Sequence, residues 1–236
     1  MNLDRPYLKQ QAKALLSTAR PSPISAAAVY VALSALMGFL SARLVGVSYE
    51  TVERAMRFLE QGKADYALTI LSASQPAPSA WLINLALELV MWIVAVGFTI
   101  FVLNTLRGTG AALGNLLDGF GFFGRILLLN FVTGILVLLW SLLLIVPGII
   151  AAYRYSMATY VLIDHPEYGV MDCLRESRRL TEGRKGELFR LDLSFLGWLL
   201  LTGLPYVGYL ASLWVTPYYA LTHAMYYERY SGHVRE

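Results

Sequence analysis

"ILLLNFVTGILVLLWSLLLIVPGIIAAYRYSMATYVLI", Ile126 to Ile163, is a run of thirty-eight residues in which Arg154 is the only charge. A helix rises ~1.5 Å per residue and bilayer hydrocarbon is ~30 Å thick, so ~20 apolar residues make one crossing. The tract is nearly twice that length, and "PG" at Pro147 and Gly148 stands near its centre. Proline removes a helical hydrogen bond and glycine tolerates a turn, so the tract reads as two closely spaced helices, a hairpin in the membrane.

A second tract, Leu188 to Tyr227, has the same form, with "GLPYVGY" at its centre. Two single apolar runs precede them, Ile24 to Leu40 and Trp81 to Leu103. The first follows a basic segment, as a signal peptide would, but "FLSARL" offers no good small-x-small cleavage site, so it is expected to be retained. With 57% apolar and 15% charged residues and a mean hydropathy of +0.54, the chain carries more apolar surface than a soluble domain of its length can bury. The expected fold is all-α: a polytopic transmembrane helix bundle of about six spans, with two proline-turn hairpins and surface amphipathic helices, in a single integral membrane domain over residues 1–236.

Three polar segments complete it. Residues 1–21 hold "YLKQQAKALL", in which Tyr7, Leu8, Ala12, Leu15 and Leu16 fall roughly on one helical face beside Lys9 and Lys13, a short helix for the membrane surface. Residues 43–79 form a small helical cap: Ser48 is placed to start a helix, Val52, Met56 and Leu59 share a face, Gly62 ends it, and "SASQPAPSA" reads as a loop. Residues 164–190 contain an amphipathic helix from Pro166 to Leu180, with Met171 and Leu174 inside, Glu176 and Arg179 paired outside, and Gly183 beyond its end. Lys and Arg concentrate at the amino terminus, at Arg107 and Arg125, in residues 164–190 and at the carboxy terminus. By the positive-inside rule both termini are expected in the cytoplasm of a bacterial cell with the chain in its plasma membrane, residues 43–79 lying outside.

In this topology Glu88 and Arg154 stand at matching depth, about 9 to 11 Å below the outer surface at ~1.5 Å per residue. Charge inside hydrocarbon costs upwards of ~2.5 kcal/mol, so an intramembrane polar pair Glu88/Arg154 is expected, the alternative being an Arg154 that snorkels outward along its aliphatic stem. Asn84, Asn104, Asn130 and His223 are expected to join helices, and the numerous tyrosines to anchor and pack the bundle. A candidate cytoplasmic docking face comprises Arg175, Arg178, Arg179, Arg184 and Lys185; interleaved acids blunt it as a phosphate or headgroup site. No cofactor or metal is expected: the lone Cys173 and three scattered histidines have no ligand spacing. Nucleophile elbow, HExxH and phosphate-cradling loop are all missing, so an enzyme is not expected. The net charge of +3 is too small and dispersed for nucleic acid.

"PGIIAAYRYSMATYVLIDHPEYGVMDCLRESRRLTEGRKGELFRLDLSFLGW", Pro147 to Trp198, resembles the signature of a bacterial membrane family, domain of unknown function family 975, through "RYSM" at Arg154, "ESR" at Glu176, "GRK" at Gly183 and "LDLSFLGW" at Leu191. "PYYALTHAMYYE", Pro217 to Glu228, resembles its closing motif, with Tyr226 where phenylalanine is expected. The resemblance implies a polytopic membrane protein similar to the membrane part of some glycerophosphodiester phosphodiesterases, whose catalytic domain has no counterpart here. Three functions follow in order: a non-enzymatic module binding membrane lipids or a protein partner at its cytoplasmic face; a small transporter or lipid-moving protein using Glu88 and Arg154; a lipid-modifying enzyme.

Overall fold

The computed structural model describes residues 5–45, 49–73, 78–204 and 207–232. The expected cap at Ser48, the heart of the "SASQPAPSA" loop, Pro205 and Tyr206 of "GLPYVGY", and His233 lie outside them. The described residues are helical, without strands. Helices α1 (Arg5–Thr18), α2 (Pro23–Val45), α3 (Tyr49–Glu60), α4 (Ala64–Ala73) and α5 (Pro78–Arg107) lead to a short α6 (Asn115–Asp118) and a 3-10 turn over Gly119–Phe122. Then follow α7 (Phe123–Leu143), α8 (Ile145–Tyr155), α9 (Ala158–Asp164), α10 (Val170–Thr181), α11 (Lys185–Leu193), α12 (Leu196–Thr202) and α13 (Val207–Ser231).

Among the described residues, three stretches are long and apolar enough to cross a membrane: Pro23–Leu44, Pro78–Arg107 and Asn115–Leu143. About six were expected. The shortfall lies in the hairpins, each of which has one broken arm: α8 stops at Tyr155 and α9 begins at Ala158, while α11 stops at Leu193 and α12 begins at Leu196; α13 is long enough but too polar to be counted.

The chain divides into two compact units, residues 32–92 and residues 1–31 with 93–236. In the smaller, the expected cap is the helix pair α3 and α4. Its buried positions are Ala55 and Ala67, and Phe58 stacks on Tyr66 at 5.9 Å. Gly62 ends α3 with φ of +72°, as expected, but Val52, Met56 and Leu59 stay exposed. Ser41 of α2 donates to Asn84 of α5, so Asn84 does join helices.

In the larger unit the α7–α8 hairpin forms, with its turn at Leu144, whose extended backbone (φ −164°, ψ 150°) is the only interruption. Pro147 lies inside the first turn of α8, where its missing N–H costs nothing. Gly148 serves packing rather than the turn: a Cβ there would stand 2.0 Å from Ser141 Oγ and 2.9 Å from Ser141 Cα. Gly208 similarly meets the backbone carbonyl of Thr202, closing α12 on α13. In the glycine-rich connection, Gly119 would place a Cβ 2.1 Å from the Ile93 carbonyl, and Gly97 of α5 one 2.1 Å from that of Leu116, so two glycines let the segment lie backbone-on-backbone against α5. Helix α1 buries Leu8, Ala12 and Leu16 of its expected face, leaves Tyr7 exposed, and packs on α13.

Gly148→Ala is expected to destabilise the protein by roughly 1–3 kcal/mol through overpacking. Gly134→Ala, on the same hairpin where nothing lies within 4 Å, should be neutral or stabilising by thermal unfolding in detergent.

Candidate functional site

Three helices end at one place. Arg107 is the last residue of α5, Asp164 the last of α9, and Glu228 lies in the final turn of α13. The Arg107 guanidinium donates through Nη1 and Nη2 to the two oxygens of Asp164, each at 2.7 Å, and through Nε to Glu228 Oε1 at 2.7 Å. Tyr227 donates to Asp164 Oδ2 at 2.8 Å, its ring stacked on Tyr160 at 5.2 Å. Side-chain exposure is 4% for Asp164 and 7% for Glu228. Two buried carboxylates at the negative ends of helices oppose one another and the helix dipoles, and the guanidinium fork between them satisfies both. The cluster holds three helix ends in register; it contains no group poised as a nucleophile. It was not expected, although each charge visibly closes an apolar run: "TIFVLNTLR", "TYVLID", "HAMYYE". The connection that follows α5 is fixed in turn by Asn104, which donates to Asn115 Oδ1 at 3.3 Å and accepts from Thr109.

The second feature is the break between α8 and α9. There the Arg154 carbonyl accepts from the hydroxyls of Ser177 (2.9 Å) and Thr181 (3.3 Å), and Ser177 Oγ also accepts from the Met157 N–H at 3.1 Å. Ser177 and Thr181 are fully buried on α10, one turn apart on the face that carries Cys173, Leu174 and Leu180. "RYSM" and "ESRRLT" are thus two halves of one joint: a broken helix and the hydroxyls that replace its lost hydrogen bonds. At the other break, Lys9 Nζ of α1 donates to the Ser194 carbonyl at 3.0 Å and stands 4.1 Å from the centre of the Phe195 ring. Burial there pushes the Lys9 ammonium below its ordinary pKa, helped by Lys13 and Arg5. Between the breaks, Asp192 Oδ1 bonds His223 Nε2 at 2.8 Å and accepts from Tyr219 at 3.0 Å. His223 therefore joins α13 to α11, the role expected of it.

Glu88 stands exposed on α5 in the smaller unit, and Arg154 in the larger, where its Nε is buried without a hydrogen-bond partner among the described residues. The docking residues separate into two sets. Arg175, Arg178 and Arg179 are exposed on α10, Arg175 bonded to Asp172 at 3.2 Å and Arg179 Nε to Glu176 at 2.8 Å, the pair expected. Arg184 and Lys185 are half-buried where α11 begins, Arg184 lying 4.2 Å over the Tyr230 ring. Helix α10 starts at Val170 rather than at Pro166, because Asp172 accepts from the Gly169 N–H and fixes the amino end there; Gly183, with φ of +73°, lies just past its end as expected.

The Arg179 guanidinium holds the Glu176 carboxyl below its ordinary pKa. The stability from this pair, about 0.2–0.5 kcal/mol, is therefore full above the unfolded carboxylate pKa and lost as pH falls through the lower folded value. Glu176→Gln should lower the melting temperature slightly at neutral pH and leave it unchanged in strong acid. Arg107→Met should cost roughly 3–5 kcal/mol by stranding two buried carboxylates. The triple change Arg107→Met, Asp164→Asn, Glu228→Gln should recover much of that in the same unfolding measurement.

No curated protein and no solved structure matches the chain. A family model described as "Protein of unknown function (DUF975)" matches residues 8–233. Both breaks, the hydroxyl joint and the Arg107 cluster lie within that match, and the chain belongs to this family.

Proposed function

We propose that the protein is a non-catalytic module of the bacterial plasma membrane that docks a protein partner on the exposed face of α10. The observation that carries this reading is the mounting of α10. Its inner face is bonded through Ser177 and Thr181 to the broken membrane helix, so the outer face is fixed relative to the bundle before any partner arrives. That face mixes signs, with Arg175 beside Asp172 and Arg179 beside Glu176, while Arg178 and Met171 are exposed. Mixed charge in a fixed register selects a complementary protein surface better than it selects an anionic bilayer, which asks for uniform positive charge. The positive-inside count supports a cytoplasmic position for this face.

A photo-crosslinker at the exposed position 171 should trap one protein species in cells, and the charge reversal Arg178→Glu should abolish the adduct with little change in the melting temperature. Crosslinks to lipid alone would overturn this reading. The Nε of Arg154, buried without a hydrogen-bond partner among the described residues, favours a second reading, a transporter using Glu88 and Arg154. Glu88→Gln should then abolish substrate flux in proteoliposomes.

A further inference from the structure

We infer that the two hairpins are re-entrant: they dip into one leaflet from the side on which α1 and α10 lie, and their tips contact lipid chains near the bilayer centre rather than the far surface. This concerns the lipid contact of the hairpins, and it stands whether or not α10 docks a protein.

The argument starts from what surrounds the two breaks. The Arg154 carbonyl is bonded by Ser177 and Thr181 of α10, whose opposite face exposes Arg175, Arg178 and Arg179. A helix is only ~10–12 Å across with its side chains, so Arg154 lies within one helix diameter of three exposed cations that hydrocarbon would not accept. The second break is marked independently. Lys9 bonds the Ser194 carbonyl from α1, which also exposes Gln10 and Gln11. Tyr153, beside Arg154, packs edge-on against Phe189 of α11 at 6.1 Å, so α8 and α11, which end at the two breaks, lie side by side and the breaks share one level. Trp198 and Trp214 meet beyond it with ring centres 5.1 Å apart and planes tilted by 53°, and Lys13 lies 6.0 Å from the Trp214 ring, the amphipathic aromatic composition of a membrane–water boundary.

Beyond that level little chain remains. Helix α8 has 11 residues and α12 has 7, lengths of about 16 and 10 Å at ~1.5 Å per residue. Either is closer to half of the ~30 Å hydrocarbon than to the whole. The residues that close the first hairpin are apolar and open: Leu142, Leu144 and Ile145 are 75%, 68% and 77% exposed. In the second, Leu200 is 67% and Leu210 is 72% exposed. The backbone needs no partner there, because the hairpin turn has one extended residue and Leu144 N–H still bonds the Trp140 carbonyl. Acyl chains are the occupant that fits: the tips offer apolar surface without charge, and their reach matches a single leaflet.

Single cysteines at Leu144, Leu210 and Ser156 test this in proteoliposomes of phosphatidylcholine and phosphatidylglycerol, since the native Cys173 is buried and stays unlabelled in the folded protein. With an environment-sensitive fluorophore, positions 144 and 210 should be quenched most by lipids carrying a nitroxide at the chain end. Position 156 should be quenched most by a headgroup nitroxide. A membrane-impermeant maleimide should label 156 from one side and reach 144 and 210 only after detergent. Labelling of 144 or 210 from the side opposite to 156 would overturn the inference, and Trp140, four residues before the turn, is the residue that such a crossing would set at the far headgroups. Equal quenching of the tips by both nitroxides would overturn it too, by placing them in a protein-lined cleft.

Discussion

Arg107 carries the constraint on which the larger unit depends. Asp164 and Glu228 are buried carboxylates at the wrong ends of their helices for the dipole, and one guanidinium fork bonds both, with Tyr227 completing the shell of Asp164. The three helices arrive from distant parts of the chain, so the cluster closes the topology: α5 comes before both hairpins, α9 follows the first, and α13 ends the second. A buried pair of this kind need add little net stability over an apolar replacement. What it does is fix a register, because guanidinium geometry tolerates one alignment of the three helix ends.

With the ends fixed, each broken hairpin arm must dispose of the carbonyls that its break exposes, and both do so with an amphipathic helix. Helix α10 supplies the hydroxyls of Ser177 and Thr181 to Arg154; α1 supplies the ammonium of Lys9 to Ser194. The same device serves in opposite chain order: the first hairpin runs from its long helix α7 to the broken arm, and the second from the broken arm to its long helix α13. Glycines let the arms meet at both, Gly148 against Ser141 and Gly208 against Thr202. These correspondences are structural, and only proline and a few small or aromatic residues repeat in the sequence around them.

The hairpin tract, the surface helices, the Glu176–Arg179 pair and the helix-ending glycines Gly62 and Gly183 were legible because each follows from local pattern: apolar length, helical spacing, or a left-handed backbone that glycine alone adopts freely. The breaks were not. "RYSMATYVLI" satisfies helix propensity throughout, and nothing within it announces that α10 will supply the missing bonds from more than twenty residues away. The Arg107 cluster was hidden for the same reason, since each of its charges closes an apolar run unremarkably and only the fold brings the three together. Gly148 was attributed to the turn because a Pro-Gly pair reads as one, whereas its Cβ is excluded by Ser141, a contact with no local signature.

Arg154 shows that a lone charge in an apolar tract does not carry its own depth. Counting along the sequence sets it deep in the membrane and asks for an opposite charge at equal depth, for which Glu88 is the available residue. That count assumes the helix continues and the tract crosses. Once the helix stops at Tyr155 and α10 bonds the Arg154 carbonyl, depth can no longer be counted in residues from the turn, and the exposed cations of α10 become the nearest measure of where water begins. On that measure an arginine in the last turn of α8 stands at the negative end of its own helix, a placement that favours its charge without a buried carboxylate.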